Sequence, residues 1–240
     1  MDPEVFSERG YVILEELVPP DLCDALNVRL EAILKGDYDL GAAPSKAPSA
    51  KELRRFQSGQ ATVRVVDAWK CDRLFRSLVL SPRLGALAAR LGRWRGARVA
   101  EDQVWIKPPG AGPLVFHRDS PYFDFEPEDV ITIWIALDSM SLEIGPLEYV
   151  VASHRWGDGR RGTAAQFFDP QHKQLMEDAA RKEGLDPHEV SVVPVLVQQG
   201  GAGLHDGRLW HGSGANRSRR CRRGDGRTLS PGLSKQQLVD

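Results

Sequence analysis

From Val99 to Asp119 the chain reads VAEDQVWIKPPGAGPLVFHRD. Two β-prone runs, Val104-Trp105-Ile106 and Leu114-Val115-Phe116, flank a Pro- and Gly-rich stretch that reads as a turn. The same texture continues with Val130 to Leu137, Leu147 to Val151, Val190 to Val197 and Ala202 to His205. Short strands at this spacing predict an antiparallel β-sandwich or barrel.

Upstream the chain is largely helical. A short β-prone run, Tyr11 to Leu14, precedes Pro19-Pro20, which opens a segment carrying Leu22, Ala25, Leu26, Leu30, Ile33 and Leu34 at helical spacing, closed by Gly36. Residues 36–51 are rich in Gly, Ala, Pro and Ser without an apolar period, as in a surface loop or lid. Thr62 to Val66 is β-prone. Asp72 to Leu80 and Ser81-Pro82 to Leu91 are helical, the second with Ser as N-cap and Pro at the first position. A helical insert, 171–183, interrupts the later strands. These elements predict one mainly β, α+β domain over residues 1–223, with N-terminal helices ahead of a jelly-roll core.

The chain has 240 residues, 41% of them hydrophobic, enough for a real core and too many for a disordered or collagen-like chain. With 32 Lys and Arg against 33 Asp and Glu, the net charge of −1 excludes a dedicated polyanion binder acting through its overall field. Six arginines and one acid between Arg217 and Arg227 give a local charge of +5. No aromatic residue is interleaved there for base stacking, so no nucleic-acid partner is expected. Three widely spaced cysteines, Cys23, Cys71 and Cys221, fit a reducing compartment and not a disulfide framework. The start is acidic and no apolar run approaches a membrane span, so the expectation is an intracellular, cytoplasmic protein off the membrane. The sequence carries no signature of oligomeric state.

His117-Arg118-Asp119 follows a β-prone run directly. Residues i and i+2 of an extended chain share a face, so the imidazole and the carboxylate project together, as two neighbouring metal ligands must. A third ligand has to come from His154, His172, His188, His205 or His211. His172 and His188 stand in polar surroundings and read as solvated. His211 follows the Asp206-Gly207 turn and is flanked by Trp210 and Gly212-Ser213-Gly214, a backbone-permissive setting for a pocket ligand. His205, at a strand end, is its competitor. Two His and one carboxylate form the facial arrangement of non-haem Fe(II) oxygenases.

The chain resembles the phytanoyl-CoA dioxygenase family, Fe(II)/2-oxoglutarate oxygenases on a double-stranded β-helix. The resemblance rests on Gly10 to Leu14, Asp102 to Pro108, His117 to Tyr122, Trp134 to Asp138, Gly145 to Val150 with Ser153-His154-Arg155, and His205-Asp206-Gly207 leading to Trp210 to Gly214. It implies that His117, Asp119 and His211 hold the iron and that His154 is structural. It implies further that Arg222, eleven residues after His211, meets the distal carboxylate of 2-oxoglutarate with Ser213 as hydroxyl partner. By the same resemblance Gln103 and Trp134 line the cosubstrate pocket, and Arg64 serves the other end of that molecule. The implied cofactors are Fe(II), 2-oxoglutarate, O₂ and ascorbate. The implied reaction hydroxylates a small-molecule or lipid-like substrate while 2-oxoglutarate is decarboxylated to succinate and CO₂.

The pattern breaks after Arg223. There the family has an alternating apolar strand that closes the barrel, whereas this chain has Gly224-Asp225-Gly226-Arg227-Thr228-Leu229-Ser230-Pro231-Gly232. Three glycines, a proline and two charges at these positions predict that the final strand is missing and that residues 224–240 form a disordered tail, as from an altered C-terminus. Under that expectation a second reading arises, a catalytically impaired family member acting as a binding or regulatory protein.

Overall fold

A computed structural model describes residues 2–123, 129–157 and 171–232. Among them are ten strands: β1 (Tyr11–Leu14), β2 (Val63–Val66), β3 (Ala97–Lys107), β4 (Leu114–His117), β5 (Ile131–Ala136), β6 (Leu147–Val150), β7 (Val192–Pro194), β8 (Ala202–Asp206), β9 (His211–Ser213) and β10 (Arg222–Pro231). The helices are α1 (Pro3–Arg9), α2 (Pro20–Leu34), α3 (Ala50–Gln57), α4 (Arg73–Val79), α5 (Pro82–Leu91) and α6 (Gln174–Lys182).

Alternation along β5 sorts the core into layers. Ile131, Ile133 and Ile135 pack with Leu26 and Leu30 of α2, Phe75 of α4 and Leu84 of α5, while Trp134 and Ala136 on the other face pack with Leu147 and Tyr149 of β6. All six residues of β5 are buried, as a central strand covered on both faces requires. The larger sheet runs β1-β8-β5-β10-β3-β2 and the smaller β4-β9-β6-β7, with antiparallel pairing throughout. The two sheets face each other as a jelly roll. Helix α6 covers the outer face of the smaller sheet through Met176 and Ala179 against Phe116, Val150 and Trp210.

The expectation of a missing final strand is overturned. Strand β10 lies between β5 and β3, with Gly224 opposite Ala136 on one side and Trp105 on the other. The glycines are what let it in: a Cβ on Gly224 would lie 2.3 Å from Cζ2 of Trp134, so the indole fills the space a side chain would take. The charges face the other way. Arg227 and Asp225 pair with each other, both without exposed side-chain surface, and Arg227 Nη1 donates to the Leu78 carbonyl at 2.9 Å. Leu229 continues the strand into the helix-facing core. Residues 224–231 therefore belong to the larger sheet, while 233–240 lie outside the described residues.

Smaller differences have local causes. Helix α3 starts inside the expected loop because Ser49 and Glu52 form a reciprocal capping box. The preceding segment is tied down, with Lys46 bridging to Val66 and Ser45 bonded to Asp67. Strand β7 spans only Val192–Pro194 of the expected run.

Candidate functional site

Pairing of β4 with β9 sets His117 directly opposite His211, and their ring centroids are 4.3 Å apart. Asp119 sits two residues beyond His117. One ligand atom from each of the three residues lies within 4.8 Å of the others. Both imidazoles are oriented by the chain just before them: Nδ1 of His117 donates to the Val115 carbonyl at 2.8 Å and Nδ1 of His211 to the Leu209 carbonyl at 2.9 Å. With the proton committed to Nδ1, each Nε2 presents a lone pair, and these nitrogens stand 3.7 and 3.4 Å from Asp119 Oδ1. Burial and the neighbouring His211 push His117 down to about 3. Burial works to raise the Asp119 carboxyl, but His211 and His205 outweigh it and hold the group well below the usual range. Burial works to lower His211, but the Asp119 carboxylate outweighs it and raises the group; with a metal in place of that proton on Nε2, two imidazoles and one carboxylate oxygen are a donor set suited to a divalent transition metal.

His205 is also here. Its Nε2 donates to Asp119 Oδ2 at 3.1 Å, and Thr132 Oγ1 donates to the same oxygen at 2.6 Å. Tyr149 O–H donates to His205 Nδ1 at 3.0 Å, which fixes the proton on Nε2. The carboxylate is thus held by one oxygen and presents the other. This bracing of Asp119 is invisible in the linear sequence around His205, since Thr132 and Tyr149 come from β5 and β6. One signal existed: Thr132 alternates with the isoleucines of β5 and must face the same way as Trp134.

The triad opens into a cavity of about 300 Å³ between the sheets. Arg64, Gln103, Trp134, Ser213 and Arg222 all line it, so the structure brings together every residue assigned to the cosubstrate. Ser213 follows His211 by two residues on β9 and shares its face. Arg222 is buried beside the Trp134 ring at 5.8 Å, and Nη1 donates to the Gly145 carbonyl at 3.0 Å while Nε has no partner. A buried guanidinium with an unused donor at a cavity wall fits a carboxylate ligand. Arg64 donates to Gln103 Oε1 at 3.0 Å and lies over Trp105, on the same cavity. His154 bonds the Ser7 carbonyl, as a structural residue does. Burial pushes Cys23 and Cys71 up to about 12, which fits apolar fillers. The arginine-rich stretch is not one solvated patch, because Arg222 and Arg227 are buried and Arg223 pairs with Asp138 at 3.2 Å.

Sequence reasoning missed Lys107. It has no exposed surface, and its Nζ donates to Ser213 Oγ at 2.7 Å and to the Gly214 carbonyl at 2.6 Å. Among the described residues, no helix is long and apolar enough to cross a membrane.

The family model for phytanoyl-CoA dioxygenase (PhyH) matches residues 6–224. Dioxygenase olcK of Penicillium canescens is 25% identical over 243 residues, covering 95% of this chain and 69% of its own length. Phytanoyl-CoA dioxygenase domain-containing protein 1 of Danio rerio is 25% identical over 253 residues, covering 90% and 84%. Among solved structures, the epimerase SnoN in complex with Fe³⁺, alpha ketoglutarate and nogalamycin RO superposes with a TM-score of 0.71 at 21% identity, over 95% of this chain and 82% of that one. At that identity the likeness bears on the fold.

Proposed function

Because the chain belongs to the phytanoyl-CoA dioxygenase family, we propose that it is an Fe(II)/2-oxoglutarate-dependent dioxygenase that hydroxylates a small-molecule or lipid-like substrate. The observation that carries this reading is the shared cavity. One wall holds His117, Asp119 and His211 with their ligand atoms converging, and the same cavity carries Ser213 and the buried Arg222.

In this reading His117, Asp119 and His211 hold Fe(II), which supplies the oxygen-activating redox chemistry that no side chain can. Three protein ligands leave positions open for cosubstrate and O₂. Arg222 and Ser213 receive the distal carboxylate of 2-oxoglutarate and so orient its keto acid end toward the metal ligands. Trp134 closes one side of that subsite and keeps water from it. Arg64 and Gln103 serve the other end, and Tyr122 and Phe123 beside them give the substrate side an apolar face. In this reading the loop that follows the triad, residues 122–125, contributes to substrate specificity; residues 124 and 125 lie outside the described residues. Ascorbate would act by keeping the metal reduced. A binding or regulatory role without turnover drew its support from an absent closing strand, and β10 removes that ground.

Anaerobic addition of 2-oxoglutarate to the Fe(II)-loaded protein is expected to produce a metal-to-ligand charge-transfer band, followed by succinate when O₂ is admitted. Absence of both refutes the assignment.

A further inference from the structure

Arg222 and Lys107 face each other as register partners on β10 and β3, so two cationic side chains enter one buried end of the site. Among the described residues, no carboxylate hydrogen-bonds either one; Arg222 uses the Gly145 carbonyl, and Lys107 uses Ser213 Oγ and the Gly214 carbonyl. Buried cations of this kind are costly without an anion. Arg222 and Ser213 line the cavity, whereas Lys107 stands behind Ser213.

The hydrogen-bond arithmetic at Ser213 is specific. An ammonium has three donors and no acceptor, and a hydroxyl has one donor and two lone pairs. When Lys107 donates to Ser213 Oγ, the serine has accepted, and its own hydrogen is left to be given to something else. We propose that Lys107 is a positioning residue for the distal-carboxylate subsite: it orients the Ser213 hydroxyl as a donor toward the bound anion and adds a second positive charge behind Arg222. The inference rests on the 2-oxoglutarate reading given above. Burial and the charge of Arg222 push the amine down to about 6 against the opposing pull of Glu148, and a bound dianion favours the charged form. Neutral Lys107 could accept from Ser213 and would turn that hydroxyl away from the cavity.

The test compares Kd values of the metal-loaded, anaerobic protein for 2-oxoglutarate and for 2-oxopentanoate, which keeps the keto acid and lacks the distal carboxylate. Lys107→Met is expected to weaken 2-oxoglutarate about tenfold or more while 2-oxopentanoate binds as before. In the Ser213→Ala background the same substitution is expected to cost much less, because the hydroxyl it orients is gone. Equal weakening of both ligands would mean a structural role only and overturns the proposal, as does unchanged 2-oxoglutarate affinity in Lys107→Met. If the Met variant does not fold, Lys107→Gln carries the same comparison: selective loss of 2-oxoglutarate supports the proposal and unaltered selectivity overturns it. Failure of the wild-type protein to bind 2-oxoglutarate removes the cosubstrate reading itself, and the role of Lys107 with it.

Discussion

His205 donates through Nε2 to Oδ2 of Asp119 at 3.1 Å, leaving Oδ1 as the carboxylate oxygen that stands 3.4 Å from His211 Nε2. The competitor for the third ligand position is thus a brace for the second ligand. Removing a brace differs from removing a ligand. His205→Ala is expected to weaken Fe(II) or Co(II) binding about 10- to 100-fold, whereas His117→Ala or Asp119→Ala abolishes it, each with the far-ultraviolet spectrum of the wild type. Metal titration followed by absorbance separates the two classes, and a His211→Ala variant that keeps its metal while His205→Ala loses it would reverse the assignment.

Gly224 carries the second expectation. Its would-be Cβ meets three atoms of the Trp134 indole, the nearest at 2.3 Å, and Trp134 is fixed against Arg222. Gly224→Ala must displace the indole or the strand. The expected cost is about 1–3 kcal/mol of unfolding free energy, with weaker 2-oxoglutarate binding and near-normal metal binding. Gly226→Ala is the control, since its nearest indole atom lies at an ordinary 3.5 Å. Equal melting temperatures for the two variants would show that the close approach does not matter.

These glycines also show where the sequence stops being legible. The strands with apolar alternation, such as β5, and the i, i+2 placement of His117 and Asp119 are local properties and could be read directly. Strand β10 has no local signature, because its inward positions answer to Trp134 from β5 and its outward charges answer to each other. A Gly-Asp-Gly-Arg stretch reads as loop until its neighbours are known. The same holds for Lys107 and His205, whose partners lie 106 and 86 residues away. The resemblance to a family supplied Ser213 and Arg222 where periodicity could not, and it supplied no warning that Lys107 stands behind them.

The buried pair in β10 yields a third expectation. Asp225 and Arg227 have no exposed side-chain surface, and Asp102 stands opposite Arg227 on β3, so removing the arginine leaves two buried acids without their cation. Arg227→Met is expected to destabilise the fold by about 3–5 kcal/mol. Replacing both, as Asp225→Leu with Arg227→Met, is expected to recover most of that loss. Urea unfolding of the single and double variants decides it: a double variant as unstable as the single one would mean the charges are needed for more than each other.

The pH dependence of stability combines two buried groups of opposite sign. Burial and the nearby Asp225 raise the Asp102 carboxyl from 3.8 to about 8. The native state then holds a proton that the unfolded chain has released, so this group's contribution falls as pH rises from about 4 to about 8. Lys107 does the reverse. Its amine is lowered from 10.5 to about 6, so above pH 6 the unfolded chain binds the extra proton, and stability rises with pH up to about 10.5. Between pH 6 and 8 the two offset each other, and the wild-type melting temperature is expected to change little on their account. Difference curves expose each one. Relative to wild type, Asp102→Asn is expected to gain stability progressively from pH 4 to 8. Lys107→Met is expected to hold its largest advantage at pH 6 and lose it toward pH 10. Melting curves at one-unit pH steps give both slopes, and flat differences would place the two groups outside the buried electrostatics of the sheet.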